Sequence, residues 1–256
     1  MDLQKYGPWA LIVGGSEGVG AAFARKLASA GLKLVLIARK QGPLGELAEE
    51  LASSGTEVRT LSVDMSKQDS LDRVRTVTDD LEVGLLIYNA GANSIQGSFV
   101  GLDPEVYRSV IAVNVTGQTE FAHHYGALMG ERGRGGMILC GSTSGYMGAA
   151  WLAAYTASKA FSRIFSEALW AECREMGIDV LHLTVGFTAT PAMARLGYDL
   201  AAAQAPEEVA QEALDNIGNG PVWIAGGPRN LELAIKRSAI ENRAEAILAV
   251  STPRRT

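Results

Sequence analysis

A tyrosine and a lysine stand four residues apart in the segment AYTASK, as Tyr155 and Lys159. Side chains at this spacing project from one face of a helix. A free phenol has a pKa of about 10 and is a poor base at neutral pH, but a nearby ammonium group favours the phenolate and lowers that pKa. The pair therefore predicts general acid–base chemistry; the alternative is the polar face of an ordinary amphipathic helix.

A glycine-rich turn follows the first apolar segment of the chain. Gly14, Gly18 and Gly20 lie in the sequence GGSEGVG, between a segment of strand character and one of helical character. Glycines let the backbone turn sharply and approach a ligand closely, and a helix N-terminus presents unpaired N–H groups that favour anions. This order predicts a pyrophosphate site; the alternative is tight packing of the strand against the helix.

The end of the second apolar segment bears on the choice of cofactor. Domains that prefer NAD usually carry a carboxylate there, which binds the ribose 2′-hydroxyl group. Here the segment ends in Ile37-Ala38-Arg39-Lys40 and has no carboxylate. A guanidinium group suits a 2′-phosphate because its planar donors match the phosphate oxygens. Arg39 therefore predicts NADP(H) over NAD(H), whereas Glu17 in the turn would repel a phosphate unless its side chain points away.

These residues lie within a regular alternation of apolar strand-like and amphipathic helix-like segments. Strands are predicted at residues 9–13, 33–37, 58–63, 83–88, 136–140, 178–185 and 221–225, and helices at 18–30, 43–54, 104–132, 152–176, 206–217 and 231–250. Continuous apolar strands that alternate with helices form parallel sheets covered on both faces. The sequence thus predicts an α/β fold of the Rossmann type, doubly wound with seven parallel strands. We expect one domain over residues 1–256, with a C-terminal helical extension from about residue 228.

Several motifs, taken in order, resemble those of short-chain dehydrogenases/reductases. The turn over residues 13–20 is similar to the family's Thr-Gly-x-x-x-Gly-x-Gly, with Val13 in place of the threonine. The further matches are Asp64, the run Asn89-Ala90-Gly91, Asn114, Ser142 thirteen residues before Tyr155, the Tyr155-x-x-x-Lys159 pair, Gly186 and Thr190. Val185 stands where the family usually has a proline. The resemblance covers roughly residues 6–227.

The resemblance implies a role for each residue of the catalytic set, Asn114, Ser142, Tyr155 and Lys159. Tyr155 would donate a proton to a carbonyl oxygen during reduction and take it back during oxidation. Ser142 would hydrogen-bond that oxygen, with the neighbouring hydroxyls of residues 143 and 144 as rivals. Lys159 would hold the nicotinamide ribose, and Asn114 would hold a water that links Lys159 to solvent.

The resemblance also implies a set of residues that bind the cofactor, NADP(H) in preference to NAD(H). The set is Gly14, Ser16, Glu17, Gly18, Val19, Gly20, Arg39, Asp64, Met65, Asn89, Ala90, Gly91, Tyr155, Lys159, Gly186, Thr188 and Thr190. No metal site is predicted, because the adjacent His123 and His124 point in different directions on a helix and lack a third ligand.

Composition narrows the possible partners and the compartment. The 256 residues carry a net charge of −5, and a nucleic-acid binder usually shows a basic surplus. No apolar run reaches the roughly 18 residues of a membrane span, and the first residues, MDLQKYGPWA, lack the pattern of a signal peptide. The two cysteines suit a reducing compartment as free thiols, although they would also allow one disulfide. We therefore expect a cytoplasmic protein without a membrane span or a nucleic-acid partner.

The substrate and the assembly are predicted only as classes. The segment PAMARLGY after Thr190 is mostly apolar, which favours an apolar ketone or alcohol. The chain resembles the branch of the family that contains 3-oxoacyl-thioester and hydroxysteroid reductases. Members of the family often pair through the two long helices, so the resemblance implies a homodimer or homotetramer.

Three questions stay open at this stage. The C-terminal segment could lie on its own domain, cover the pocket or pack on a neighbouring subunit. The chain could also be a non-catalytic NADP(H)-binding regulator on the same fold. A third possibility is a module that binds a different nucleotide, such as a methyl donor; Arg39 and the catalytic set argue against it.

Overall fold

Seven parallel strands form one sheet in the computed structural model, which describes residues 2–92 and 98–251. The strands are β1 (Trp9–Val13), β2 (Lys33–Ala38), β3 (Val58–Ser62), β4 (Val83–Tyr88), β5 (Gly135–Cys140), β6 (Ile178–Thr184) and β7 (Val222–Ile224). Their order across the sheet is β3-β2-β1-β4-β5-β6-β7, and each neighbouring pair is parallel. The predicted fold class is confirmed, with each strand within a residue or two of its predicted bounds.

Helices connect the strands and cover both faces of the sheet. Within the described residues they are α1 (Leu3–Tyr6), α2 (Gly18–Ser29), α3 (Gln41–Ser53), α4 (Ser70–Arg75), α5 (Pro104–Ile111), α6 (Gly117–Arg132), α7 (Ala153–Cys173), α8 (Pro191–Arg195), α9 (Pro206–Asn216), α10 (Gly227–Ser238) and α11 (Arg243–Val250). Helices α2, α3 and α9 contribute to the core on one face, and α4, α6 and α7 to the core on the other. Strands β1, β4 and β5 are buried along their whole length, because a sheet covered on both faces has no polar side.

The strand order changes direction between β1 and β4. From β1 the chain winds outward to β2 and β3, and then returns to place β4 on the other side of β1. The connections after β1 and β4 therefore diverge and leave a crevice at the carboxyl ends of these strands. Ligands of open α/β sheets bind at such a point.

The predicted helix over residues 104–132 is one helical run with a wider turn in its middle. Helix α5 passes through a π-helical turn at Ala112–Thr116 into α6. Tyr88, which is buried at the end of β4, donates its hydroxyl to the Val113 carbonyl oxygen at 2.7 Å. A side chain of the sheet thus supplies a donor to the backbone of the irregular turn that contains Asn114.

The prediction of one helix over residues 231–250 is wrong, because the structure has two helices there. Helix α10 begins earlier, at Gly227, and ends at Ser238, and α11 begins at Arg243. Asn242 adopts a left-handed backbone conformation, with φ at 53°, which asparagine tolerates better than most residues. The Arg243 guanidinium donates to the carbonyl oxygens of Arg237 and Ala239, and so satisfies the free carbonyls at the end of α10.

Three short helices, α1, α4 and α8, were not predicted. They have four to six residues each, which is too short for an apolar periodicity to show. The sequence did carry a signal for α8, since Thr190 accepts from the Met193 N–H as an N-cap and Pro191 follows directly. In the part of the chain that the structure describes, no helix has the length and apolar character that a membrane crossing requires.

We expect Tyr88→Phe to lower the free energy of unfolding by about 1–3 kcal/mol, because the change removes a buried donor from the Val113 carbonyl oxygen. Urea unfolding would measure the loss. The control is Tyr107→Phe, whose hydroxyl makes no hydrogen bond among the described residues. Equal stabilities of the two variants would contradict the role given to Tyr88.

Candidate active site

The turn after β1 is built on glycines at positions where a side chain would strain the backbone or meet neighbouring atoms. A Cβ on Gly20 would lie 1.9 Å from the Gly14 carbonyl oxygen, and Gly14 itself has φ at 87°. Gly18 has φ at 55°, and a Cβ there would lie 2.8 Å from Thr190 Cγ2. The first turn of α2 is therefore pressed against the strand end and the segment after β6. This close approach leaves room for the phosphates of a dinucleotide at the N-terminus of α2.

Asn89 joins the two sides of the crevice. Its backbone N–H donates to the Val13 carbonyl oxygen at 2.9 Å, and its Nδ2 donates to the Gly14 carbonyl oxygen at 2.9 Å. The residue that follows β4 thus holds the turn that follows β1. The Asn89 side chain thus bonds the backbone of the glycine turn, and its contact with a cofactor stays a prediction.

A cleft of about 410 Å³ lies along this crevice. Of the predicted cofactor residues, it is lined by Gly14, Ser16, Glu17, Gly18, Val19, Arg39, Asp64, Met65, Asn89, Ala90, Gly91 and Thr190. Residues that sequence analysis did not assign also line it: Ala38, Lys40, Val63, Ala92, Ser109, Val113, Pro191, Ala192 and Arg195. The glycines that a Cβ would fill and the cations at one end fit a dinucleotide that carries phosphate groups.

One end of the cleft carries cationic side chains. Arg39 and Lys40 follow β2 and line the cleft, and the exposed Arg39 side chain makes no ion pair within residues 2–92 and 98–251. Burial alone would raise the pKa of Asp64, but hydrogen bonds from Ser66 and the charge of Arg39 hold this pKa below its usual value. Arg39 therefore has guanidinium donors free for an anion, as a 2′-phosphate would need.

Glu17, whose charge would oppose a phosphate, is paired with two cations. Arg195 of α8 donates to both of its carboxylate oxygens, at 3.0 and 2.7 Å, and Lys40 lies 3.3 Å away. The bonds from Arg195 lower the pKa of Glu17 most, burial opposes them, and Lys40 adds to the lowering. The bridge also fastens α8 to the phosphate turn. Sequence analysis missed Arg195, because nothing in the sequence relates it to a residue so far away.

Tyr155 stands half-buried in the first turn of α7, within reach of Ser142 at the end of β5. Burial raises the pKa of Tyr155, and a hydrogen bond with Ser142 opposes that rise. The Ser142 hydroxyl also accepts from the Ser144 N–H at 3.1 Å. Among the three candidate hydroxyls, it is therefore the Ser142 hydroxyl that hydrogen-bonds Tyr155.

The expectation that Lys159 lowers the pKa of Tyr155 is not met, because burial is the larger effect. Lys159 Nζ lies 6.0 Å from the centroid of the Tyr155 ring and donates to the Cys140 carbonyl oxygen at 3.0 Å. Burial lowers the pKa of Lys159 to about 8. At neutral pH Tyr155 is accordingly protonated and can donate a proton.

Asn114 and Lys159 meet beside Gly91. A Cβ on Gly91 would lie 3.6 Å from Lys159 Nζ and 3.7 Å from Asn114 Oδ1. The Asn114 side chain accepts from the Ala92 N–H at 2.9 Å and donates to the Ala92 carbonyl oxygen at 3.0 Å and to Ser158 Oγ at 2.9 Å. Through these bonds the Asn114 amide connects the segment after β4 with α7.

The remaining predicted residues lie around the cleft and do not line it. Gly20 packs beneath Gly14, as described. Gly186 lies against Asn230 of α10, since a Cβ would come within 2.3 Å of its Nδ2. Thr188 is buried and donates to the Gly186 carbonyl oxygen at 3.2 Å. Both residues thus shape the segment that leads to Thr190.

A crevice at the switch point of a doubly wound sheet, lined by glycines and cations and with the buried Lys159 behind Gly91, is typical of a nucleotide-dependent oxidoreductase. The family model for short chain dehydrogenases matches residues 8–201. The chain therefore belongs to the short-chain dehydrogenase family.

Its relatives include enzymes of two substrate classes. A 7β-hydroxysteroid dehydrogenase of Clostridium sardiniense is 32% identical over 228 residues, which are 87% of this chain and 87% of the relative. A very-long-chain 3-oxoacyl-CoA reductase of Neurospora crassa is 35% identical over 225 residues, 85% of this chain and 68% of the relative. A solved structure of a 7β-hydroxysteroid dehydrogenase, 32% identical, matches with a TM-score of 0.90 over 97% of this chain and 98% of that one.

We expect Arg195→Met to raise the pKa of Glu17 towards that of an ordinary glutamate, because its strongest hydrogen-bond donors are lost. Lys40→Met should raise this pKa less, since its contacts are longer. Carboxyl-carbon NMR titration would measure both. The matched control is Arg25→Met, which breaks a similar exposed pair with Glu50 and should leave Glu17 unchanged. A Glu17 pKa that stays low in Arg195→Met would contradict the assignment.

Proposed function

We propose that this chain is an NADP(H)-dependent enzyme that interconverts ketones and secondary alcohols. The observation that carries the proposal is the hydrogen bond of protonated Tyr155 with Ser142, with the buried Lys159 close to the Tyr155 ring. A proton donor, a hydrogen-bond donor and a cation then surround the place where charge develops on a carbonyl oxygen.

Each residue of the set has a distinct task in the proposed reaction. Tyr155 donates its proton to the carbonyl oxygen during reduction and takes it back during oxidation. Ser142 holds that oxygen in place, and Lys159 binds the ribose of the cofactor. Asn114 holds a water that connects Lys159 with solvent. The bound nicotinamide cofactor supplies the hydride in reduction and accepts it in oxidation.

The preference for NADP(H) rests on the charges at the end of β2. Arg39 has free guanidinium donors there, and Lys40 lies beside it. Glu17 is offset by Arg195 and Lys40, so its carboxylate opposes a 2′-phosphate less than its place in the sequence suggests. The segment from Gly186 through Thr188 to Thr190 borders the cofactor on the opposite side.

An apolar substrate is supported by large exposed side chains on the segments after β5 and β6. Trp151, Phe187 and Leu196 are 44%, 39% and 49% exposed. Such side chains offer a surface for an apolar ketone. The two relatives, a 7β-hydroxysteroid dehydrogenase and a very-long-chain 3-oxoacyl-CoA reductase, favour a steroid-like ketone or a 3-oxoacyl thioester.

We further propose a homodimer or homotetramer in the reducing cytoplasm. Ile111, Phe161 and Ile164 are exposed apolar residues on the two long helical runs, which the resemblance implies as subunit contacts. Cys140 and Cys173 are buried free thiols, as suits a reducing compartment.

The first test is consumption of NADPH, with NADH in parallel, on a panel of 3-oxoacyl thioesters, steroid ketones and small ketones. We expect turnover with NADPH. Tyr155→Phe should lower kcat by about 10²–10⁴-fold, because it removes the proton donor, whereas the control Tyr107→Phe should keep full activity. Tight NADPH binding without turnover on any ketone would favour a regulator, and a clear preference for NADH would refute the role of Arg39.

The rates should depend on pH with opposite signs in the two directions. Reduction needs protonated Tyr155 and charged Lys159, so its kcat/KM should fall as the pH rises through about 8, the pKa of Lys159. Oxidation needs the phenolate and should rise over the same range. In Lys159→Arg the cation persists, and the alkaline fall in reduction should disappear. A reduction rate that stays flat between about pH 7 and 9.5 would contradict the assignment.

A further inference from the structure

A second cavity, of about 520 Å³, lies between α9, α10 and the segment after β6. Its wall includes Thr143, Phe187, Gln204, Asn230 and Arg237. It reaches the backbone next to two residues of the proposed site, because Thr143 follows Ser142 directly and Phe187 follows Gly186. Of the residues on this wall, only Phe187 has a role in the proposed function, as part of an apolar surface for the substrate.

Arg237 is a half-buried cation on the wall of the cavity. Its Nη1 donates to the Thr143 carbonyl oxygen at 3.0 Å. No carboxylate pairs with it among the residues that the structure describes, and burial lowers its pKa. A guanidinium group keeps five donors, so Arg237 has donors left for a ligand. An unpaired charge in such a place is unfavourable until an anion joins it.

The acidic side chains of the cavity lie at its other end or at its rim. Glu212 accepts from Gln204 Nε2 at 2.7 Å, from Trp223 Nε1 at 2.9 Å and from the Gly226 N–H at 3.2 Å. Gly226 precedes α10 and Arg237 is near its end, so the two lie roughly 15 Å apart along the helix. Glu208 is exposed. The carboxylates thus leave the end at Thr143 positively charged.

The C-terminal helices hold this wall against the segment between Ser142 and Tyr155. Arg243 Nη2 donates to the Tyr146 carbonyl oxygen at 3.1 Å, and the Ala150 N–H donates to Ser251 Oγ at 2.8 Å. The extension therefore lies on its own domain, beside the proposed site.

We infer that this cavity is a substrate subsite in which Arg237 binds an anionic group, a carboxylate or a phosphate, on the tail of an apolar ketone. The inference rests on the proposed ketone reductase activity, whose reacting carbonyl group would lie at Ser142 and Tyr155. Gln204, at the Glu212 end of the cavity, supports a polar occupant, because its Oε1 atom is buried without a partner among the described residues. This atom can accept from a donor on the tail at a distance from the group that Arg237 binds. Charge-assisted bonds from a guanidinium group are the strong kind that select such a group.

The test compares two probes that differ only in charge: an oxo-steroid with a side-chain carboxylate, and its methyl ester. Wild-type enzyme should show the lower KM for the carboxylate. Arg237→Met should raise that KM about 10- to 100-fold, with kcat and the turnover of the ester unchanged. Arg237→Lys should restore part of the affinity. The matched control is Lys236→Met, which removes a neighbouring exposed charge of the same helix and should change neither probe.

Three results would overturn the inference. The first is an equal loss on both probes in Arg237→Met, which would mean that Arg237 only supports the Thr143 backbone. The second is no change on either probe. The third concerns inorganic phosphate. If phosphate changes the turnover of the ester by wild-type enzyme but not by Arg237→Met, the cavity binds a free anion and not the tail of the substrate.

A binding measurement separates this inference from the proposed function. If no ketone is reduced, the proposed function fails, and equilibrium binding of the steroid carboxylate still tests the subsite. Binding to wild type and Lys236→Met at least about 10-fold tighter than to Arg237→Met would support the subsite. Equal binding to all three proteins would refute it.

Discussion

The approach of Gly20 to the Gly14 carbonyl oxygen is the contact on which the cofactor cleft depends. Because neither residue has a side chain, the first turn of α2 lies directly on the end of β1, and Asn89 can reach across from β4 to the same carbonyl oxygen. The two strands that diverge at the switch point are thereby tied together. The resulting crevice holds the cations after β2 and, through Gly91, the buried Lys159.

Burial shifts the pKa values of Tyr155 and Lys159 more than the charges of their neighbours do. Lys159 is held against the Cys140 carbonyl oxygen, and its pKa falls, while the pKa of Tyr155 rises. The two pKa values thus shift in opposite directions, that of Lys159 towards neutral pH and that of Tyr155 away from it. At Glu17 the charges prevail: hydrogen bonds from Arg195 and Lys40 lower its pKa although burial opposes them.

The C-terminal extension, which contains α10 and α11, contacts the segment that carries part of the candidate site. Its guanidinium groups bind backbone carbonyls of the segment that connects β5 with α7, the segment that separates Ser142 from Tyr155. These hydrogen bonds join the end of the chain to a segment more than 90 residues earlier in the sequence. Of the two side chains, Arg237 also lies on the wall of the second cavity.

The sequence by itself determined the parallel sheet, because continuous apolar strands between helices permit no other burial. It also determined the phosphate turn, because only glycines readily adopt its left-handed conformations and leave space for its close backbone contacts. The spacing of Tyr155 and Lys159 determined that they share a helix face. Only the tertiary structure decided which residues of distant segments form hydrogen bonds. Examples are Arg195 with Glu17, Asn89 with Gly14, and Arg237 with Thr143. It likewise decided that burial outweighs the charge of Lys159 at Tyr155, and that α10 and α11 are separate helices. These outcomes depend on distances in space and on desolvation, which no local pattern of residues records.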